Sequence, residues 1–161
     1  MSPRHLLLVD DSARDLEMAL DALQQYNLAN EVTTLRDGAE ALDYMYRRGP
    51  YASRAGADPA VILLDLKMPR VDGIEVLRQL KADQQFRRIP IVVMTSSRED
   101  QDLNKCYELG VNAYVVKPLS FHEFIEAIKT LGTFWAVLNE PPAPGSTSPF
   151  STPSPHEHPP R

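Results

Sequence analysis

Asp10, Asp11, Asp65, Thr95 and Lys117 stand where short apolar runs end. Leu6-Leu7-Leu8-Val9 leads into Asp10-Asp11, Val61-Ile62-Leu63-Leu64 into Asp65, Ile91-Val92-Val93-Met94 into Thr95-Ser96, and Ala113-Tyr114-Val115-Val116 into Lys117-Pro118. Together these residue types could carry out phosphoryl transfer. A carboxylate attacks phosphorus and holds the group as a mixed anhydride, provided the surrounding negative charge is neutralised. Asp10, Asp11 and Asp65 crowded together repel one another unless a cation sits among them. Hard oxygen ligands with few protein contacts suit Mg²⁺. Lys117 would offer positive charge to the phosphoryl oxygens, and the Thr95 hydroxyl a hydrogen bond. Attack by an ionised Asp65 needs positioning and charge stabilisation but no general base.

For these residues to meet, the apolar runs must be neighbouring strands. Continuous apolar runs of this length, separated by helical patterns, are expected of fully buried parallel strands. In an open α/β sheet the carboxyl ends of such strands line one crevice. The pattern predicts a first strand over about His5 to Val9, then a helix capped by Ser12 and running to Gln25, with Leu16, Ala19, Leu20 and Leu23 on one face. Glu31 to Leu35 reads as a weaker second strand. Asp37-Gly38 opens a helix with Ala41, Leu42 and Met45 inward, ending near Arg48-Gly49. Pro50 to Pro59 reads as a long, exposed loop. After the third strand, Asp72-Gly73 starts a helix carrying Ile74, Val76, Leu77 and Leu80, which stops before Pro90. A polar helix over Glu99 to Leu109 ends on Gly110. A fifth helix is expected from about Phe121 to Leu131, capped by Ser120, with Phe124, Ile125 and Ile128 inward.

Composition narrows the class. The chain has 161 residues, 43% apolar and 24% charged, with a net charge of −5, which fits one folded domain. The acidic balance argues against an electrostatic nucleic-acid footprint. A single cysteine, Cys106, permits no internal disulfide framework and points to a reducing, cytoplasmic setting. The apolar runs are too short to span a bilayer. Residues 140–161, rich in Pro, Ser and Thr, lack the apolar content to fold and are expected to form a disordered tail.

The acidic pair Asp10-Asp11, the run Leu63-Leu64-Asp65-Leu66-Lys67-Met68-Pro69 followed by Asp72-Gly73, the run Val93-Met94-Thr95-Ser96, and Tyr114-Val115-Val116-Lys117-Pro118 resemble the receiver domain of two-component response regulators. The resemblance covers about residues 5–131 and implies a doubly wound, flavodoxin-like α/β fold, a five-stranded parallel sheet of order 2-1-3-4-5 with five helices, within a domain spanning 1–139. It implies that Asp65 is the phosphoacceptor and that Asp11 and Asp65 bind Mg²⁺ by carboxylate. Asp10 would act largely through metal-bound water, and the Lys67 backbone carbonyl would complete the metal's protein ligands. Thr95 and Tyr114 would form a conformational switch, and Lys117 would contact the phosphoryl group. The peptide to Pro118 is usually cis in the family. Such a chain is a phosphoacceptor that assists its own phosphorylation and dephosphorylation, not an enzyme with a separate substrate, and its phosphodonor is a sensor histidine kinase.

Arg88-Ile89-Pro90, Cys106 to Asn112 and Phe134-Trp135 are further similar to the small regulators paired with bacterial phytochromes, which implies a phytochrome-type kinase and a homodimer, with no attached effector domain. Phe134 and Trp135 either close the protein's own core or form a partner surface. Lys67 and Ser97 flank the pocket, where they could tune hydrolysis by controlling water access.

Each feature has a plain structural reading by itself. Acidic pairs cap turns, Thr-Ser caps helices, Lys-Pro ends strands, and Tyr114 could be core. Cys106 reads as a small, partly buried helix residue, and His5 and His122 as structural or surface residues. His156 and His158 in the tail have no further ligands nearby. Occurring at successive strand ends of one sheet, the acids, the threonine and the lysine favour the pocket. Two other classes compete with it. A haloacid-dehalogenase-type phosphatase also uses a strand-end aspartate, but needs an acid two residues later, where this chain has Lys67. A pseudo-receiver would bind partners without phosphorylation, but usually lacks one of the pocket residues.

Overall fold

A computed structural model describes residues 5–25, 31–117, 120, 122–123 and 126. The apolar runs form β1 (His5–Val9), β2 (Glu31–Leu35), β3 (Val61–Leu64), β4 (Ile91–Thr95) and β5 (Ala113–Val116), with α1 (Ala13–Gln25), α2 (Gly38–Tyr46), α3 (Gly73–Ala82) and α4 (Asp100–Leu109) between them. All strand pairs are parallel, in the order β2-β1-β3-β4-β5. Covering β1, β3 and β4 on both faces favours apolar residues: every position but His5 and Thr95 is apolar, and each of their residues is buried. Leu7, Val9, Ile62, Leu64, Ile91 and Val93 point to the face covered by α2, α3 and α4. Leu6, Leu8, Val61, Leu63, Val92 and Met94 point to the face where α1 packs with Leu16, Ala19, Ala22 and Leu23. Burying each such Leu, Ile or Val contributes about 1.5–3 kcal/mol.

Helix entry follows the local chemistry. Ser12, Asp37 and Asp72 each accept an N–H from the first helical turn, from Asp15, Glu40 and Glu75 respectively. Gly110 closes α4 with φ at 98°.

Two expectations need correction. Helix α2 stops at Tyr46, earlier than the expected Arg48-Gly49, and its left-handed cap is Arg47, at φ 55°. A non-glycine residue holds that conformation because its guanidinium is fastened to the carbonyls of Arg54 and Gly56. The following loop is also less free than its composition suggests. Gly49–Tyr51 forms a 3₁₀ turn, and the Arg54 side chain, 9% exposed, donates to Tyr44 O at 3.0 Å, pairs with Asp58 at 3.1 Å and stacks 4.2 Å over the Tyr44 ring.

Four α-helices lie among the described residues, where five were expected. Of the fifth, Ser120, His122, Glu123 and Glu126 are described, and Ser120 Oγ accepts Glu123 N–H at 3.0 Å as the expected cap. Pro118, Phe134, Trp135, His156, His158 and the expected tail lie outside the described residues. No helix among the described residues is long and apolar enough to cross a membrane.

Candidate functional site

The parallel ladder continues one residue beyond three strand ends, to three of the candidate site residues. Asp10 N–H donates to Leu35 O at 3.0 Å, Asp65 N–H to Val9 O at 2.9 Å, and Lys117 N–H to Thr95 O at 2.7 Å. Asp10, Asp65 and Lys117 therefore have their backbones held by the sheet rather than by loops. After Asp65 the chain turns tightly into α3. A Cβ on Gly73 would stand 2.0 Å from Asp65 O, so only glycine lets the helix start close against the acid.

The side chains converge as the sequence predicts. Carboxylate oxygens of Asp10, Asp11 and Asp65 all lie within 4.8 Å of one another. Lys117 Nζ donates to Asp10 Oδ2 at 2.6 Å and stands 3.8 Å from Asp65 Oδ2. Asp10 is also a turn residue, since its Oδ1 accepts Ser12 N–H at 2.9 Å. The turn and the pairing with Lys117 use different oxygens. Asp65 Oδ1 accepts Leu66 N–H at 2.8 Å, which fixes the carboxyl plane. Burial pushes the Asp65 carboxyl up to about 6; the Lys117 ammonium opposes this shift and the Asp10 charge reinforces it. Burial by itself would lower the pKa of Lys117, but the Asp10 and Asp15 carboxylates overcome it and hold the ammonium above its ordinary range.

Thr95 and Tyr114 meet through a third residue. Thr95, fully buried, accepts Ser97 N–H at its Oγ1 at 3.2 Å, and Tyr114 donates its hydroxyl to Ser97 O at 3.1 Å. Lys67 directs its amine to Asp102, 3.3 Å away. Cys106 is buried in the core, where burial pushes its thiol up to about 11, a poor setting for redox chemistry. His5 is structural, its ring held by Tyr44 Oη at 3.0 Å and Thr33 Oγ1 at 3.1 Å.

Three contributors escaped the reading of the sequence. Asp15 is a second carboxylate for Lys117, 2.9 Å away. It lies three residues past the Ser12 cap, which turns it toward the strand ends, and that spacing was the available signal. Arg36 donates to Asp11 O at 2.7 Å beside the acids. Asp102 is buried although it belongs to a helix with a polar composition, and nothing in that composition separates it from its solvated neighbours.

The donor set is three hard carboxylates closing on one point, so the residues present fit a divalent cation. Residues 6–129 match the family model of the response regulator receiver domain. The chain is 35% identical over 133 residues to the response regulator Rcp1 of Synechocystis sp., covering 83% of this chain and 89% of that protein. The structure of the Mn²⁺-bound form of Rcp1 aligns with a TM-score of 0.75 at 34% identity, covering 83% of this chain and 94% of that one. The bacteriophytochrome response regulator AtBRR is 58% identical, with a TM-score of 0.71 over 87% of this chain and 100% of the other. The phosphorylated cyanobacterial phytochrome response regulator RcpA is 36% identical, with a TM-score of 0.77 over 84% of this chain and 95% of its own.

Proposed function

The chain belongs to the response regulator receiver domain family, and from that premise we propose that it takes a phosphoryl group from a sensor histidine kinase onto Asp65 and signals by a change of shape to a protein partner. Receiver domains are the phosphoacceptors of two-component signalling and bind a divalent metal. The observation that carries the residue assignment is the convergence of Asp10, Asp11 and Asp65 on one point with Lys117 against them.

With its carboxyl raised only to about 6, Asp65 is largely ionised at neutral pH and attacks without a base. One Asp65 oxygen bonds to phosphorus as the P–N bond of a phosphohistidine breaks, and the electron pair leaves with the imidazole. Lys117 neutralises the phosphoryl oxygens, and the Thr95 hydroxyl swings to donate to one of them, an exchange in which its oxygen gives up the Ser97 N–H it accepts. That exchange loosens Ser97, whose carbonyl holds the Tyr114 hydroxyl, and the surface near α4 and β5 follows. Asp11 and Asp65 by carboxylate, Asp10 through water and the Lys67 carbonyl would hold Mg²⁺, which supplies charge neutralisation for the crowded acids and the incoming phosphate.

A phytochrome-type kinase is the donor we favour, supported by the 58% identity to AtBRR. Assembly as a homodimer belongs to the same reading and is tested by sedimentation of the full chain. The direct test of the site is incubation with acetyl phosphate, with and without Mg²⁺, followed by intact mass and peptide mapping. A metal-dependent gain of one acid-labile phosphoryl group on Asp65, absent in D65N, is expected. Labelling retained in D65N would move the site elsewhere, and no gain in the folded protein would favour a pseudo-receiver.

A further inference from the structure

Asp102 is a buried carboxylate that the chemistry above leaves unused. It lies in the first turn of α4, 7% exposed, a placement a helix aspartate adopts only with partners. It has two, drawn from the two loops that flank Asp65. Ser97 donates its hydroxyl to Asp102 Oδ2 at 2.5 Å, and Lys67 Nζ pairs with the same oxygen at 3.3 Å. Ser97 stands two residues after Thr95, and Lys67 two residues after Asp65. The Ser97 hydroxyl, with help from Lys67, holds the Asp102 carboxyl below its usual range, and Asp102 in turn raises Lys67. Two residues of chain span at most about 7 Å, so a Lys67 amine released from Asp102 could reach a group bound to Asp65.

We infer that Asp102 is a positioning residue that governs the lifetime of phosphorylated Asp65 by retaining the Lys67 ammonium at α4. The inference rests on the reading of Asp65 as phosphoacceptor. Phosphoryl loss is hydrolysis: a water oxygen bonds to phosphorus as the Asp65 oxygen leaves as carboxylate, and inorganic phosphate departs with the water's protons shared between it and solvent. With the Lys67–Asp102 pair intact, the path for that water stays open. With the pair broken by substitution of Asp102, the Lys67 ammonium pairs with the phosphoryl oxygens, stabilises the aspartyl phosphate and occupies the approach.

The test uses the full chain as wild type, D102N, K67M and K67M/D102N. Each is loaded with acetyl phosphate and Mg²⁺, freed of donor and followed by intact mass. D102N keeps the side-chain shape and an acceptor for Ser97; D102S, measured beside it, also breaks the pair and carries the same expectation. Loss from D102N should slow about threefold, the rate equivalent of one exposed ion pair, and the effect of D102N should vanish in the K67M background. A D102N effect that persists without Lys67 would mark a merely structural role and overturn the inference, as would decay of D102N and D102S at the wild-type rate. No incorporation in any of the proteins would overturn the reading of Asp65 itself, and the inference with it.

Discussion

Lys117 Nζ lies 2.6 Å from Asp10 Oδ2 across 107 residues of sequence, a bond that joins the ends of β1 and β5 over the β3 end that carries Asp65. The same amine reaches Asp15 at 2.9 Å and stands 3.8 Å from Asp65. One cation thus balances three acids, and the pocket's charge is an electrostatic problem shared by its members.

Replacing Lys117 with Met removes that balance. Losing one partner from a largely buried charge cluster costs about 3 kcal/mol, so the metal-free midpoint of thermal unfolding at pH 7 should fall. Saturating Mg²⁺ should restore most of it, because a second cation takes over the acids. A fall that Mg²⁺ does not reverse would reduce Lys117 to packing.

The raised carboxyl of Asp65 predicts a pH dependence. Its folded value of about 6 lies above the ordinary 3.8, so the folded state binds the proton more tightly than the unfolded chain does. This group's contribution is therefore most favourable at low pH and is lost as pH climbs from the ordinary value through about 6. Because a metal needs the ionised form, the Mg²⁺-induced rise in midpoint should be small near about pH 5 and larger near about pH 7. In D65N the metal-free midpoint at neutral pH should rise by about 2–4 °C, roughly 1 kcal/mol for a domain of this size. A Mg²⁺ effect of equal size at both pH values would remove Asp65 from the metal's ligands.

Gly73 sets how closely α3 approaches the acid. In G73A the new methyl would meet Asp65 O at 2.0 Å, and relief requires moving backbone on the site's own strand. Overpacking of this kind costs about 3 kcal/mol, and phosphoryl incorporation should fall along with stability in calorimetry and mass measurements. Wild-type incorporation in G73A would show that the turn can shift without moving Asp65.

Arg54 gives the contrasting case. It fastens the loop entering the amino end of β3, opposite the crevice, through Tyr44 O, Asp58 and the Tyr44 ring. R54A should cost about 2–3 kcal/mol in chemical denaturation while phosphoryl incorporation at Asp65 stays at the wild-type extent. A loss of incorporation at unchanged stability would place the loop in the site's machinery.

Much of the architecture was legible in the chain. Val61–Leu64 and Ile91–Thr95 read as interior strands because a strand covered on both faces needs apolar residues throughout. Asp37, Asp72 and Ser12 announced helix starts through local capping, which depends on neighbours a few residues away. The Arg47 cap was not legible, because its left-handed backbone is held by Arg54 and Gly56, and the pattern pointed to the glycine at 49 instead.

The sequence by itself determined which residues end the strands, and with parallel pairing that places Asp10, Asp65, Thr95 and Lys117 on one rim. Strand ends align because every pair is parallel, so all the strands run the same way and finish at the same edge of the sheet. Only the tertiary structure decided the partners: Lys117 on Asp10 and Asp15 together, Thr95 and Tyr114 on opposite sides of Ser97, and Asp102 buried between Lys67 and Ser97. Local propensity is set by near neighbours, whereas the charge balance of a buried carboxylate is set by whichever distant side chains the fold brings within a few ångströms.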